Sequence, residues 1–418
     1  MTPSARRLAA PWVVPVEGPP IAEGAVLVGA NGRILTVGPD AAVPSPSDVL
    51  AERLAGAILP GFVNTHTHLE LTGFGDQVTE QDFPAWIRRI IALKGTRAPE
   101  AFLEAARQGV QDCWAGGVTT VADTGDSGAV IEALASLGGS GIAYHEVFGP
   151  DPDQAGPAAE AAAKRLDQLE RFTGPRVRLG LSPHAPYSVS GPLYRRIAAL
   201  AERRELPLAV HLAESEAESL LLAEGTGGFA ENWLARGIPL PGPPGRTPVG
   251  WLDEHGVLGV RTLCIHVVRA GAADLDLLAG RGVGIAHCPR SNRRHGHGDA
   301  PLAAMLARGL RVGVGTDSVA SVSPLDLLAE ARTASDLGRL GAEGALRLLT
   351  LEGARALGLA QETGSLTPGK WGDLIALDLP GAVDGSRLMD TLMSRSPGAV
   401  ALTLVDGREV YRRGVARR

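Results

Sequence analysis

Leu59-Pro-Gly-Phe-Val-Asn-Thr-His-Thr-His-Leu-Glu70 places an apolar segment directly before two histidines that are one residue apart. The pattern predicts a strand over Ile58–Val63. Side chains at positions i and i+2 of an extended strand lie on the same side, so His66 and His68 can point to one place beyond its end. Two converging neutral imidazoles are half of a metal site. An isolated pair of this kind can be a chance surface feature, but further histidines follow later strands and favour a metal.

Bulk composition indicates an ordinary globular protein. The 418 residues suit a barrel of roughly 250–300 residues together with a smaller domain. A hydrophobic content of 44% and a charged content of 21% are typical of globular chains. The net charge of −6 gives no basic surface for nucleic acid or an anionic membrane, and no apolar stretch is long enough to cross a bilayer.

Cysteine usage and the first residues predict a cytoplasmic location. The three cysteines, Cys113, Cys264 and Cys288, form no Cys-x-x-Cys motif, which favours a reducing compartment over a disulfide framework. Pro11 and Pro15 interrupt the N-terminal segment, so we expect no signal peptide.

From about residue 58, short apolar segments alternate with helix-like stretches, and each apolar segment runs into a polar residue. The pattern predicts an α/β protein with a (β/α)8 TIM-type barrel, whose functional groups lie at the carboxyl ends of the strands. An open doubly wound sheet is the alternative, but it would bind ligands at one switch point, and no glycine-rich nucleotide motif is present. The eight segments and their polar residues are Ile58–Val63 (His66, His68), Val118–Ala122 (Asp123), Gly141–Tyr144 (His145, Glu146), Arg176–Ser182 (His184), Leu208–Val210 (His211), Thr262–Ile265 (His266), Val283–Ala286 (His287) and Arg311–Thr316 (Asp317).

Both chain ends are β-rich and predict one small β-sandwich beside the barrel. Gly29-Ala-Asn-Gly32 lies between two short strands, as in a hairpin. We therefore expect the sandwich to contain residues 1–57 and 361–418, with the metal-dependent barrel over residues 58–360. Residues 225–250 form a loop-rich insertion at the barrel mouth, either a wall for the substrate or a surface excursion.

Four groups have the residue types and strand positions needed to bind one divalent ion: His66, His68, His211 and Asp317. Three imidazoles and a carboxylate suit one Zn²⁺ per subunit, with Fe²⁺ as the alternative. Taken singly, His211 could be a satisfied core histidine and Asp317 a turn residue. Glu214 follows His211 by three residues and can be an acid–base group over the metal or an ordinary helix-start carboxylate.

Further strand-end motifs accompany these residues: Leu59–His68, Ser182-Pro-His-Ala-Pro186, His211-Leu-Ala-Glu214, His266, His287-Cys-Pro-Arg-Ser-Asn292 and Gly315-Thr-Asp317. In these motifs the chain resembles the amidohydrolase superfamily, in its cytosine-deaminase-like and triazine-hydrolase-like branch. The resemblance implies a mononuclear metal on the four ligands above. It also implies that Glu214 shuttles a proton to the substrate ring and that His266 orients the attacking water. In the mechanism that we expect, Asp317 takes the proton of the water as general base. Binuclear relatives carry a lysine on the fourth strand, which this chain lacks.

Within this branch, the segments Glu70, His211–Ser215, Gly225–Phe229 and Gly315–Ser321 resemble those of aminodeoxyfutalosine deaminases. Those enzymes act on a purine nucleoside that carries a benzoate. We therefore expect a hydrolytic deaminase of a purine-like ring that releases ammonia. Hydrolysis of another C–N or C–Cl bond, or a non-catalytic scaffold, are the alternatives. The candidate substrate-binding residues are Glu70, Trp86, His184, Tyr187 and Ser318.

Other segments near the predicted site have two interpretations each. Phe83 could stack on the purine or pack a helix on the barrel. Arg88 or Arg89 could meet a carboxylate or lie on a solvated helix face. Arg293-Arg-His-Gly-His297 is basic and histidine-rich, and could bind a substrate anion or a stray metal. The expected partner is a small molecule; a homodimer through the sandwich, near Trp371 and Tyr411, is a further hypothesis.

Overall fold

Two sheets organise the protein, and the computed structural model describes residues 5–47, 49–80, 82–242 and 245–415. The strands are β1 (Arg6–Val13), β2 (Ile21–Val28), β3 (Ile34–Pro39), β4 (Leu50–Arg53), β5 (Ala57–Pro60), β6 (Phe62–Thr67), β7 (Val118–Gly125), β8 (Gly141–Val147), β9 (Val177–Pro183), β10 (Leu208–Leu212), β11 (Thr262–His266), β12 (Gly284–His287), β13 (Arg311–Val314), β14 (Leu374–Leu377), β15 (Val400–Val405) and β16 (Arg408–Arg412).

Helices follow most of the barrel strands and cover their outer surface. They are α1 (Phe83–Thr96), α2 (Pro99–Ala115), α3 (Ala129–Leu137), α4 (Ala155–Leu169), α5 (Gly191–Arg203), α6 (Glu216–Ala223), α7 (Gly227–Ala235), α8 (Pro248–Glu254), α9 (Ala272–Arg281), α10 (Pro289–Arg294), α11 (Leu302–Ala307), α12 (Leu327–Gly338), α13 (Gly341–Leu349), α14 (Leu351–Ala356) and α15 (Leu388–Met393). None of the described helices is both long and apolar enough to cross a membrane.

The strands β6 to β13 form one parallel sheet in sequential order, which confirms the (β/α)8 barrel. A doubly wound sheet would reverse its order part-way, so that alternative is wrong. The barrel closes between its first and last strands through a backbone hydrogen bond, from the Asp317 amide to the His66 oxygen at 3.1 Å, and through side chains. Asn64 Nδ2 donates to Thr316 Oγ1 at 2.8 Å, and the Thr316 amide donates to Asn64 Oδ1 at 3.1 Å. This closure brings the end of β6 against the end of β13.

The apolar segment before the two histidines contains two strands, where the sequence predicted one over Ile58–Val63. β5 pairs with β1 and β14 in the sheet built from the chain ends, whereas β6 pairs with β7 in the barrel. The break is at Gly61, where an added Cβ would lie 2.1 Å from Thr119 Oγ1. The chain therefore passes from one sheet to the other at a residue that must have no side chain.

The second sheet is mixed and contains β1–β5 together with β14–β16. Its apolar face packs strands from both chain ends into one core, which includes Leu8, Val26, Ile58, Leu374 and Leu402. This arrangement confirms that both chain ends build one β structure beside the barrel, as a single mixed sheet. The exact domain boundaries, 57/58 and 360/361, stay a prediction.

The insertion at 225–250 contains a helix that the loop-rich composition did not predict. On α7, Phe229 and Trp233 are buried. Trp233 Nε1 donates to the backbone oxygen of Tyr187 at 2.9 Å, and the Phe229 ring stacks on the Tyr187 ring at 4.1 Å between centroids. These contacts fix α7 to the rim of the barrel beside α1.

Candidate active site

The structure brings the four candidate metal ligands together at the carboxyl ends of their strands. Asp317 Oδ1 lies 3.6 Å from His66 Nε2 and 3.5 Å from His68 Nε2. The His211 ring centroid lies 5.0 Å from that of His66 and 5.5 Å from that of His68. These spacings suit groups that surround a single ion.

His66 supplies a test of whether a metal suits this site. Its side chain is completely buried, and neither ring nitrogen has a hydrogen-bond partner among the described residues. Burial lowers the pKa of His66 to about 4, so the ring is neutral near pH 7. A buried polar atom without a partner is costly. A divalent ion that takes the lone pair of one nitrogen would remove part of this cost, and the donor set suits zinc or iron.

Backbone and hydroxyl groups orient the other two imidazoles. His68 Nδ1 lies 3.2 Å from Thr124 Oγ1, and His211 Nδ1 lies 3.3 Å from the backbone oxygen of His184. A carbonyl can only accept a hydrogen bond, so that contact places the proton of His211 on Nδ1. Nε2 is then free as a ligand, the arrangement common in metal-binding histidines.

Asp317 is held in a strained backbone conformation with both carboxylate oxygens in contact with donors. Its φ is 58°, which costs a non-glycine residue about 1–3 kcal/mol. Ser291 Oγ donates to Oδ2 at 2.6 Å, and the Ser318 amide donates to Oδ1 at 2.7 Å. Burial raises the pKa of Asp317, but His66 and the neighbouring imidazoles outweigh it and lower the pKa well below the usual value.

Glu214 lies between two imidazoles at the edge of the ligand cluster. Its Oε1 atom is 3.6 Å from His266 Nε2 and 3.4 Å from His297 Nε2. Burial raises the pKa of Glu214, but His266 and His297 outweigh burial and lower it to about 2. His266 Nδ1 is 2.8 Å from Asn292 Oδ1, which leaves Nε2 facing Glu214. An ionised carboxylate beside the cluster is suited to accept and return a proton.

Glu218 supports the turn that carries Glu214, and the sequence analysis did not identify it. Its carboxylate accepts the backbone N–H groups of Ala213 and Glu214, both at 2.9 Å. Ala213 has a φ of 48°, so this turn is strained. Glu218 could have been identified from the sequence Ser215-Glu-Ala-Glu218, which has the spacing of a helix capping box.

A pocket of about 450 Å³ opens above the cluster between α1 and α7. Three of the predicted substrate-binding residues, Trp86, His184 and Tyr187, line it. Phe83 and Trp86 stack at 5.8 Å between centroids, and Phe229 stacks on Tyr187. The pocket therefore has flat aromatic walls over a polar floor.

Two predicted substrate-binding residues, Glu70 and Ser318, do not line the pocket. Glu70 lies in a short 3-10 turn and is almost fully buried. Its Oε1 atom is 2.7 Å from Lys94 Nζ, and Ser127 donates to its Oε2. Ser318 is buried with its hydroxyl 3.1 Å from Ser321 Oγ. Both side chains therefore contact protein groups beside the pocket, and their role as substrate ligands stays a prediction.

The sequence analysis did not assign several residues that line the pocket to the substrate site. Glu146, near the end of β8, is buried with Oε1 unpaired among the described residues, and burial raises its pKa to about 8. His295 lines the pocket and packs against Trp86 at 4.8 Å between ring centroids. Arg88 and Arg89 are exposed on α1 and do not line the pocket, whereas Arg236 on the insertion does.

Residues 57–410 match the sequence model of the amidohydrolase family. The chain belongs to this family. It is 30% identical over 423 residues to a 5-methylthioadenosine/S-adenosylhomocysteine deaminase of Moorella thermoacetica, an alignment that covers 96% of this chain and 93% of that protein. It is 33% identical over 326 residues to an aminodeoxyfutalosine deaminase of Deinococcus radiodurans, with coverage of 73% and 76%.

A solved structure supports the same assignment. An adenosine deaminase from Xanthomonas campestris, crystallised with bound zinc, superposes on this amidohydrolase with a TM-score of 0.83 and 25% identity. The alignment covers 97% of this chain and 93% of that one. The family and the fold are thus those that the strand-end motifs predicted, and the chain is a hydrolase that acts on carbon–nitrogen bonds.

Proposed function

We propose that the protein is a metal-dependent deaminase of an adenosine-type nucleoside, which replaces the amino group of the purine with oxygen and releases ammonia. The observation that carries the proposal is the buried, ionised Glu214 carboxylate, 3.6 Å from His266 and beside the four candidate ligands. The names of the relatives from Moorella and Deinococcus support the choice of an adenosine-type substrate.

His66, His68, His211 and Asp317 would hold a single Zn²⁺ or Fe²⁺ ion. Such an ion lowers the pKa of water from 15.7 to about 7, so that hydroxide is available at neutral pH. The absence of a lysine on β9 is consistent with one ion rather than two. We propose that Asp317, whose pKa is lowered well below its usual value, accepts a proton from the attacking water.

Glu214 would complete the proton transfers. Because its pKa is about 2, Glu214 is ionised in the resting site and must gain a proton before it can donate one. We propose that this proton, derived from the water, passes to the ring nitrogen beside the carbon under attack. His266 faces the same region through Nε2, and an N–H group at that nitrogen would stabilise negative charge on the incoming oxygen. Asp317 would pass the second proton of the water to the amino nitrogen, so that cleavage of the C–N bond releases ammonia and leaves the oxygen of the water on the ring.

The pocket matches a nucleoside in size and chemistry. Its volume of about 450 Å³ is within the usual range for small-molecule sites and exceeds what a purine ring alone would fill. The aromatic walls made by Phe83, Trp86, Tyr187 and Phe229 suit a flat ring. We propose Trp86, His184 and Tyr187 as residues that contact the substrate.

The test is ammonia release by zinc-loaded and iron-loaded protein from adenosine, 5′-deoxyadenosine, guanine, cytosine and a chlorotriazine. Ammonia from an adenosine-type compound is expected, with loss in Glu214→Gln at unchanged metal content. Glu214→Gln keeps the four proposed metal ligands, so a loss of activity in this variant would be due to the loss of proton transfer by Glu214. If metal-loaded protein released no ammonia from any of the aminated rings, the proposal would be overturned. Release of chloride from the triazine alone would favour dechlorination.

A further inference from the structure

The segment after α10 places His295 against the aromatic walls of the pocket. His295 lines the pocket, and its ring lies 4.8 Å from Trp86 and 5.3 Å from Phe83 between centroids, at interplanar angles of 70° and 62°. The rings of Phe83 and Trp86 are within 13° of parallel. A flat ring that stacks on these walls would therefore meet His295 at its edge.

Both ring nitrogens of His295 lack a partner within the protein. The residue is only 8% exposed, and neither Nδ1 nor Nε2 has a hydrogen-bond partner among the described residues. Burial lowers the pKa of His295 to about 4, so the neutral ring offers one N–H donor and one acceptor near pH 7. Buried groups of this kind are normally paired. Because the χ2 torsion of histidine is broad, a rotation about Cβ–Cγ can turn a nitrogen toward a ligand in the pocket.

The backbone at His295 is fixed by residues that also hold the proposed machinery. The His295 amide donates to the Ser291 oxygen at 3.0 Å, and the Ser291 hydroxyl donates to Asp317 Oδ2 at 2.6 Å. The His295 ring stacks on His297 at 5.5 Å between centroids, and His297 contacts Glu214. The imidazole of His295 is therefore held beside the groups proposed to carry out deamination.

The basic residues of the same segment do not bring a charge into the pocket. Arg293 Nε lies 2.6 Å from Asp299 Oδ1, and this pair is on the exposed side of the segment. Neither Arg293 nor Arg294 lines the pocket. The segment thus presents a neutral imidazole to a ligand, which favours hydrogen bonding over the binding of an anion.

We propose that His295 forms a hydrogen bond with the purine base of the substrate, at a ring nitrogen other than the one that Glu214 is proposed to protonate. The inference rests on the proposed deaminase function and names a residue that selects the base. In adenosine, N3 and N7 are the other ring nitrogens with a free lone pair, and either can accept the N–H of a neutral imidazole. Cytosine offers neither, because it has no counterpart of N7 and its counterpart of N3 carries hydrogen.

The first experiment measures kcat/KM for adenosine, 3-deazaadenosine and 7-deazaadenosine in zinc-loaded wild type and in His295→Phe, which keeps a ring but no nitrogen. Replacing a nitrogen by C–H also changes the reactivity of the base, but that change is common to both proteins and cancels when they are compared. One analogue should lose about tenfold more, relative to adenosine, in the wild type than in His295→Phe, because its C–H group leaves the imidazole N–H unpaired.

Two further variants sharpen this comparison. His295→Gln keeps an N–H donor and should retain part of the discrimination between adenosine and the affected analogue. His255→Phe is the matched control, because His255 is a buried histidine that packs on Trp251 away from the pocket. It should discriminate between the three compounds as the wild type does.

A second measurement needs neither turnover nor a variant. The affinities of the zinc-loaded wild type for the products inosine, 3-deazainosine and 7-deazainosine, measured by calorimetry, should include one analogue that binds about tenfold more weakly than inosine. The affected analogue identifies N3 or N7 as the partner of His295. This measurement decides the matter if His295→Phe fails to fold or to retain zinc.

The outcomes separate this contact from the function on which it rests. If His295→Phe lowered kcat/KM by the same factor for all three nucleosides, His295 would only pack against the walls and the proposal would be overturned. Equal affinity of the wild type for all three products would overturn it as well. Absence of ammonia from every adenosine-type compound would instead refute the proposed function.

Discussion

His297 holds its Nε2 atom 3.4 Å from Oε1 of Glu214. The same oxygen faces His266, so an imidazole from the segment after α10 and one from the end of β11 share one carboxylate. His297 is buried, and its ring packs edge-on against Phe83 at 4.6 Å between centroids. This histidine gives the segment Arg293–His297 a place in the site that its basic composition did not indicate.

Replacing His297 should therefore impair catalysis through the position of Glu214. We expect His297→Phe, which keeps an aromatic ring but no nitrogen, to lower kcat about tenfold with little change in KM. That loss corresponds to about 1.4 kcal/mol of transition-state stabilisation. His297→Gln, which retains an N–H donor, should recover part of the loss. Unchanged kcat in His297→Phe, at normal metal content, would show that the ring only packs against Phe83.

Removing a proposed ligand should remove the metal. Asp317→Asn and His66→Asn are each expected to reduce bound zinc, measured by elemental analysis after dialysis, at least about tenfold. His255→Asn is the matched control, because His255 is also a buried histidine but its Nδ1 donates to the Trp251 carbonyl away from the pocket. Full zinc content in Asp317→Asn would argue against this ligand set.

Glu218 should matter for stability more than its position in the sequence suggests. In Glu218→Gln, one acceptor oxygen becomes an NH2 group, which leaves one of the amides of Ala213 and Glu214 without its partner. We expect the free energy of unfolding, measured with urea, to fall by about 1–3 kcal/mol. Glu216→Gln, in the same helix turn but with a side chain 73% exposed, should change it by less than about 0.5 kcal/mol. If the two variants lowered the free energy of unfolding equally, Glu218 would not stabilise the turn that carries Glu214.

His287 should make stability depend on pH. Burial lowers the pKa of His287 to about 3, whereas an unfolded histidine titrates near 6.5. The unfolded chain thus binds a proton first as the pH falls, so this residue's contribution is complete above about pH 6.5 and is lost toward pH 3. His287→Leu should reduce the slope of unfolding free energy against pH by up to about 1.4 kcal/mol per unit between pH 6 and 4.

A non-titrating variant in the same strand isolates this effect. Ile285→Val, in β12, should lower the free energy of unfolding by about 0.5–1.5 kcal/mol at every pH, because it removes only a buried methyl group. If the free energy of unfolding changed with pH in the same way in the wild type and in His287→Leu, the His287 ring would not be held neutral in the folded protein.

Local patterns were sufficient to predict the barrel and the candidate ligand set. Apolar segments that end in His66, His211 and Asp317 depend only on strand periodicity and on the rule that parallel strands end at one face. The position of Glu70 could not be predicted in the same way, because the 3-10 turn over Leu69–Leu71 directs its carboxylate to Lys94. That turn depends on contacts with residues far along the chain, such as Asp123, whose Oδ2 accepts the Leu69 amide.

The remaining features depend on tertiary packing. The break at Gly61 is required by the approach of Thr119, which no local pattern around residue 61 encodes. Arg236 was missed because its segment is rich in glycine and proline, and α7 is held by the burial of Phe229 and Trp233 on the rim. That Arg236 lines the pocket and Arg88 does not depends on how α1 and α7 pack on the barrel.

The passage from β5 through Gly61 into β6 also bears on how the chain is made. The strand that carries His66 continues directly from β5, and β5 needs β14 as its neighbour on one side. During synthesis, β14 leaves the ribosome only after the entire barrel. The junction before His66 thus gains its last hydrogen-bonded neighbour when nearly the whole polypeptide has emerged, and chains released early would leave one edge of β5 open to pairing with other molecules.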